Sequence, residues 1–91
     1  MTTYVMIARV PEHGLAAFDA YEAAVLPLLA DHGGRLERRL RSADGTEIHL
    51  VSFTDSRGLD SYRADPRRVA AAHLLAESGA AVELLQVDDI G

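Results

Sequence analysis

Apolar residues follow two different periods along this chain, and the switches between them mark its elements. Thr3 to Val10 (TYVMIARV) is almost continuously apolar, rich in aromatic and β-branched types, and stops at Pro11. Such a run predicts a central strand covered on both faces. Alternation puts Val5, Ile7 and Arg9 on one face and Tyr4, Met6, Ala8 and Val10 on the other, with Met6 expected on the face away from the helices. Pro11 to Gly14 reads as a turn. From Leu15 to His32 the period becomes helical, with Leu15, Phe18, Glu22, Val25 and Leu29 at three- and four-residue steps and Tyr21 and Leu28 beside them. Glu22 interrupts this stripe and is expected near its edge. Pro27 removes a backbone donor, so a kink or break is predicted between Val25 and Leu28. Gly33-Gly34 ends the helix, one of them supplying a left-handed cap.

Arg35 to Ser42 (RLERRLRS) alternates weakly and is heavily charged, as suits an edge strand protected from stray pairing. The Arg35, Arg38, Arg39 and Arg41 cluster is accordingly read as solvated. Asp44-Gly45 predicts a two-residue hairpin turn. That turn pairs Arg41 with Ile48, Leu40 with His49, Arg38 with Val51 and Leu36 with Phe53. It sends Leu36, Arg38, Leu40, His49, Val51 and Phe53 to the helix side, and a slip of one residue would exchange the faces. Asp55 or Ser56 is expected to cap a helix running to about Arg63, with Leu59 and Tyr62 pointing inward. Asp65-Pro66 restarts the helix, which runs on to Ser78-Gly79. Ala80 to Val87 is the last strand.

The order β-α-β-β-α-β predicts an α+β, ferredoxin-like domain over residues 1–91: a four-stranded antiparallel sheet with the helices on one face. The first and last strands are apolar on both sides, yet helices can cover only one. A second copy of the chain is the expected cover, giving a sheet-to-sheet homodimer. Composition agrees. Ninety-one residues make one domain of modest burial, and no cysteine is present to staple it. The net charge of −5 argues against a nucleic-acid partner. No apolar run approaches the roughly 20 residues of a membrane span, and Met1 leads straight into a strand, so a soluble cytoplasmic protein is expected.

The strand ending Val51-Ser52-Phe53, followed by Leu59-Asp60-Ser61-Tyr62-Arg63-Ala64-Asp65-Pro66, resembles the antibiotic-biosynthesis-monooxygenase-like branch of the dimeric α+β barrel superfamily. The helix entering His32-Gly33-Gly34-Arg35 is similar to a second, uncharacterised group of that superfamily. The resemblance implies a sheet-to-sheet dimer with a pocket between sheet and helices. It also implies a cofactor-independent oxygenase or isomerase acting on an aromatic or polyketide-like molecule, or else a non-catalytic module that binds a small apolar ligand or serves an oligomeric assembly. Haem-degrading members place an iron ligand near His73, but they also carry an asparagine on the first strand and a tryptophan on the second helix, and this chain has neither. No cofactor is expected.

His49 is the candidate base, with Arg38 or Tyr62 stabilising the oxygen of the resulting enolate. His73, Tyr21 and Arg9 are candidate ligand-binding residues. Each also has a plainer reading. His49 could be a core histidine bonded to Tyr21, Tyr62 or a carbonyl; Arg38 could extend to solvent; the tyrosines could be core residues with satisfied hydroxyls. His13, His32, His49 and His73 show no metal-ligand spacing, so a metal site would have to be assembled by the fold. Neither a G-x-S-x-G turn nor a phosphate-binding loop is present.

Overall fold

The computed structural model describes all residues from Met1 to Gly91. Strand β1 (Thr2–Arg9) is followed by a short 3-10 turn (Glu12–Gly14) and helix α1 (Leu15–Val25). A 3-10 run (Leu26–His32) leads into β2 (Gly34–Arg41) and β3 (Thr46–Phe53). Helices α2 (Gly58–Ala64) and α3 (Pro66–Ser78) precede β4 (Ala81–Val87). The sheet order β2-β3-β1-β4, antiparallel throughout, is the ferredoxin-like arrangement expected from the element order.

The chain punctuation acts as its chemistry requires. Pro27 cannot donate to the turn before it, and α1 stops at Val25. The backbone tightens into a 3-10 run and ends at Gly33 with φ +70°. Asp65 caps α3, its Oδ1 accepting from the Arg67 amide at 2.9 Å, with Pro66 at the first helical position. Helix α2 begins later than expected. Asp55 does not cap it directly; its Oδ1 accepts from the Arg57 amide at 2.8 Å, an Asx turn one step upstream.

The hairpin differs from expectation. No residue other than glycine has positive φ, so Asp44 cannot form a two-residue type I′ turn. Ser42 instead bonds with Thr46 across a three-residue loop that ends on Gly45 at φ +89°. Register therefore slips by one: Arg41 pairs with Glu47, Arg39 with His49 and Arg38 with Leu50. A bulge between Leu36 and Arg38 then shifts it again, and Leu36 pairs with Val51. On β3 the expected faces hold, and His49, Val51 and Phe53 are buried on the helix side. On β2 they invert over its second half, and Arg39 and Arg41, not Arg38 and Leu40, share the face of His49.

Met6 pairs with His49 and Tyr4 with Val51, so both lie on the helix side. This corrects the placement of Met6. Val5, Ile7, Ile48 and Leu50 form the centre of the other face, with Leu40 and Leu85 exposed beside them. The core gathers Tyr21, Val25, Leu28, Leu29, Val51, Phe53 and Tyr62 between sheet and helices, and Ala8, Val10 and Phe18 form a smaller cluster. No helix is long and apolar enough to cross a membrane.

Candidate functional site

Between the helices and the inner face of the sheet lies a cavity of about 130 Å³. Fourteen of its eighteen lining residues are apolar or aromatic, so its polarity is concentrated in Glu22, His49, Arg63 and Arg68. Strand β1 contributes Tyr4 and Met6, α1 contributes Phe18, Tyr21 and Val25, and β3 contributes His49, Val51 and Phe53. Exposed Val82 and Arg63 mark where it approaches the surface.

The wall nearest β2 carries a buried polar cluster. His49 Nε2 lies 2.5 Å from Glu47 Oε2, and its Nδ1 faces Glu22 at 3.8 Å. All three residues are nearly inaccessible: Glu47 at 1%, Glu22 and His49 at 3%. A carboxylate that is buried needs cations, and the slipped register supplies them. Arg41 donates to Glu47 Oε1 at 2.5 Å and Arg39 to Oε2 at 3.0 Å. Burial pushes the Glu47 pKa up, but the bonds from Arg41, His49 and Arg39 outweigh it and hold the carboxyl below its ordinary range. Glu47 is thus an acceptor only, which makes Nε2 of His49 the protonated nitrogen and leaves the Nδ1 lone pair toward Glu22. Desolvation lowers the His49 pKa against the pull of Glu47, so the imidazole is neutral near pH 7.

Glu22 is the group left without a cation of its own. Desolvation, and then the charge of Glu47, raise its pKa to about 7. It does not sit at the edge of the α1 stripe as expected; Phe18, Tyr21, Glu22 and Val25 are the buried row. It also lines a second, open groove on the outside, together with Asp19, Arg39, Arg41 and Glu47. One side chain therefore borders both the apolar cavity and the solvent-facing groove.

On the opposite wall, the Arg68 guanidinium stacks 4.9 Å from the centre of the Tyr62 ring. Its Nε is buried with no hydrogen-bond partner. Burial raises the pKa of both Tyr21 and Tyr62, with Arg68 pulling each back.

The expected site residues separate into two groups. His49, Tyr21 and Tyr62 line the cavity, although the Tyr62 hydroxyl is engaged in donating to the Val25 carbonyl at 3.1 Å. Arg38 does not, because the one-residue slip turns it to the outer face opposite Leu50. Arg9 is also on that face, paired with Glu83 at 3.5 Å. His73 lies exposed on α3, its ring bonded to the Ala70 carbonyl, and does not approach His49. Sequence reasoning missed Glu22, Glu47 and Arg68. For Glu22 the signal was present, an acid placed within an otherwise apolar helical row.

Two other constellations test less well. Donor atoms of Glu22, Glu47 and His49 lie within 4.8 Å of one another, so the fold does assemble a set that could ligate a metal. Arg39 and Arg41 already neutralise Glu47, and their charge opposes a cation there. Ser61, His32 and Asp65 form a hydrogen-bonded chain, at 2.5 Å and 2.8 Å, with the residue types of a hydrolase triad. The Ser61 amide is spent on the Arg57 carbonyl inside α2, however, so the turn that would offer an oxyanion its donors is missing. The chain serves as a clip between the 3-10 run, α2 and the α3 cap.

In sequence, no family profile and no curated protein matches this chain. In structure, it superposes on SnoaB, a cofactor-independent oxygenase from Streptomyces nogalater, with a TM-score of 0.74 and 20% identity, covering 98% of this chain and 94% of that one. An antibiotic biosynthesis monooxygenase structure gives 0.77 at 14% identity over the whole of both chains. Rv0793 from Mycobacterium tuberculosis gives 0.68 at 23% identity, covering 99% and 98%. The chain has the ferredoxin-like α+β fold of the antibiotic-biosynthesis-monooxygenase-like proteins.

Proposed function

We propose that this protein is a cofactor-independent monooxygenase or isomerase of an aromatic or polyketide-like small molecule, working as a homodimer. The observation that carries this reading is the Glu22–His49 pair set in the wall of an apolar cavity. A cavity so lined selects an apolar ligand, and an acid that exchanges its proton near neutral pH is suited to general base work. Glu22 takes a proton from the ligand, with the Nδ1 lone pair of His49 facing it at 3.8 Å. Glu47, fixed by Arg39 and Arg41, holds the imidazole in the tautomer this requires. In the oxygenase case the carbanionic carbon of the resulting enolate or phenolate bonds to O₂ and gives a hydroperoxide. Loss of the second hydrogen of that carbon then breaks the O–O bond, leaving a carbonyl and releasing water, so the substrate supplies all four electrons. In the isomerase case the enolate is reprotonated at another carbon. The likeness to SnoaB supports the fold and leaves the substrate open.

The test is oxygen uptake and product formation over a panel of phenols and enolisable ketones. Glu22→Gln and His49→Ala are each expected to lose on the order of 100-fold in kcat. Full activity in both variants, or no turnover of any compound, overturns the catalytic reading. The dominance of apolar lining favours one alternative, a ligand-binding module without chemistry, and binding with no turnover would establish that instead.

A further inference from the structure

Arg68 differs from the cations around it. Arg67, one residue earlier, pairs with Asp31 and Asp65. Arg39 and Arg41 pair with Glu47. Arg68 forms no ion pair, yet it lines the cavity half-buried, with the neutral Tyr21 and Tyr62 as its side-chain partners. A guanidinium does not lose its proton in a protein, so burial cannot be relieved by neutralisation. A half-buried cation with no anion beside it is poorly compensated, and an anionic oxygen within reach of its terminal nitrogens would give it a charge-assisted bond. Glu22 does not fill that role: it feels the charge of Arg68 but forms no ion pair with it, and it faces His49 instead.

Size narrows the occupant further. An apolar cavity on the order of 150 Å³ holds one benzene ring, and this one measures about 130 Å³. Phe18, Phe53 and Tyr62 are buried around it. Three or four fused rings exceed that volume.

We infer that the cavity binds a single-ring aromatic compound carrying one acidic oxygen, a carboxylate or a phenolate, and that Arg68 is the residue that recognises that oxygen. The inference rests on the cavity being the ligand site, as proposed above, and is independent of whether chemistry follows. The ring lies among Phe53, Val51 and Leu84, with its oxygen toward the stacked faces of Arg68 and Tyr62.

Binding, not turnover, tests it. The whole protein is titrated with benzoate, 4-nitrophenolate, toluene and anthracene-9-carboxylate, followed by calorimetry and by methyl chemical shifts of Val51 and Leu84. Benzoate or 4-nitrophenolate is expected to bind at least tenfold more tightly than toluene and to move those methyls, and whichever of the two binds better identifies the oxygen. Anthracene-9-carboxylate is expected to bind at least tenfold more weakly than the better of them. Arg68→Met should abolish the preference for the anions over toluene, and Arg68→Lys should restore part of it. Toluene binding as tightly as both anions to the unaltered protein overturns the inference without relying on any variant. So does equal binding of the three-ring acid, or an anion preference undiminished in a folded Arg68→Met protein. Selective anion binding with neither oxygen uptake nor product formation would keep this inference and remove the catalytic one; turnover of neutral or polycyclic compounds would do the reverse.

Discussion

Glu22 occupies a position on α1 where a leucine would satisfy the helical pattern, and its carboxyl is 3% exposed. Its folded pKa of about 7 stands above the ordinary 4.5, chiefly through desolvation. Between those values the folded chain holds a proton that the unfolded chain has released. Stability from this group is therefore full below about 4.5 and is lost as pH rises through 7, a loss on the order of 3 kcal/mol. The groups facing Glu22 are Glu47, Arg39, Arg68, Asp19 and His49. His49, whose pKa is lowered, acts in the opposite sense on the acid side. The contrast between Glu22→Gln and the parent isolates the carboxyl. The amide should raise the thermal midpoint at pH 8 by on the order of 10 °C and leave it little changed at pH 5. An equal gain at both pH values, read by calorimetry, would show that Glu22 titrates as an ordinary carboxylate.

Among the elements, α3 depends on one residue. Asp65 accepts from the Arg67 amide, from the Arg67 guanidinium and from His32, joining the helix start to the 3-10 run. Asp65→Ala should lower the thermal midpoint by roughly 5 °C, and Asp65→Asn, which keeps the cap, by less than half of that. Indistinguishable losses in urea or thermal melts would mean the cap contributes nothing. This feature was readable in the sequence, because Asp-Pro before a helical run has one local meaning. Pro27 and Gly33 were readable for the same reason. The β2–β3 register was not. Asp44-Gly45 suits either a two-residue loop or a three-residue loop ending in glycine, and the two differ by one position, which inverts a strand. With that inversion went Arg38 and the fact that Arg39 and Arg41 neutralise Glu47, while the unseen bulge at Glu37 returns Leu36 to the helix side. The identity of the cluster was thus hidden behind pairings that no local pattern reports.

At the scale of the whole molecule, the chain is a slab 36 × 34 × 16 Å across its Cα atoms, two layers thick. One broad side is helices; the other is bare sheet centred on Val5, Ile7, Ile48 and Leu50. On the proposed dimer reading, Ile7→Asp should sediment as a folded 9.8 kDa particle where the parent sediments at twice that mass. A parent that sediments alone at micromolar concentration would end that reading. Glu22, seated between the inner chamber and the outer furrow beside α1, has a consequence for the same whole. On the proposed catalytic reading, a hydrogen taken from an occupant reaches bulk water by way of the furrow while the occupant stays lodged. In heavy water, a bound compound would then acquire deuterium faster than it escapes.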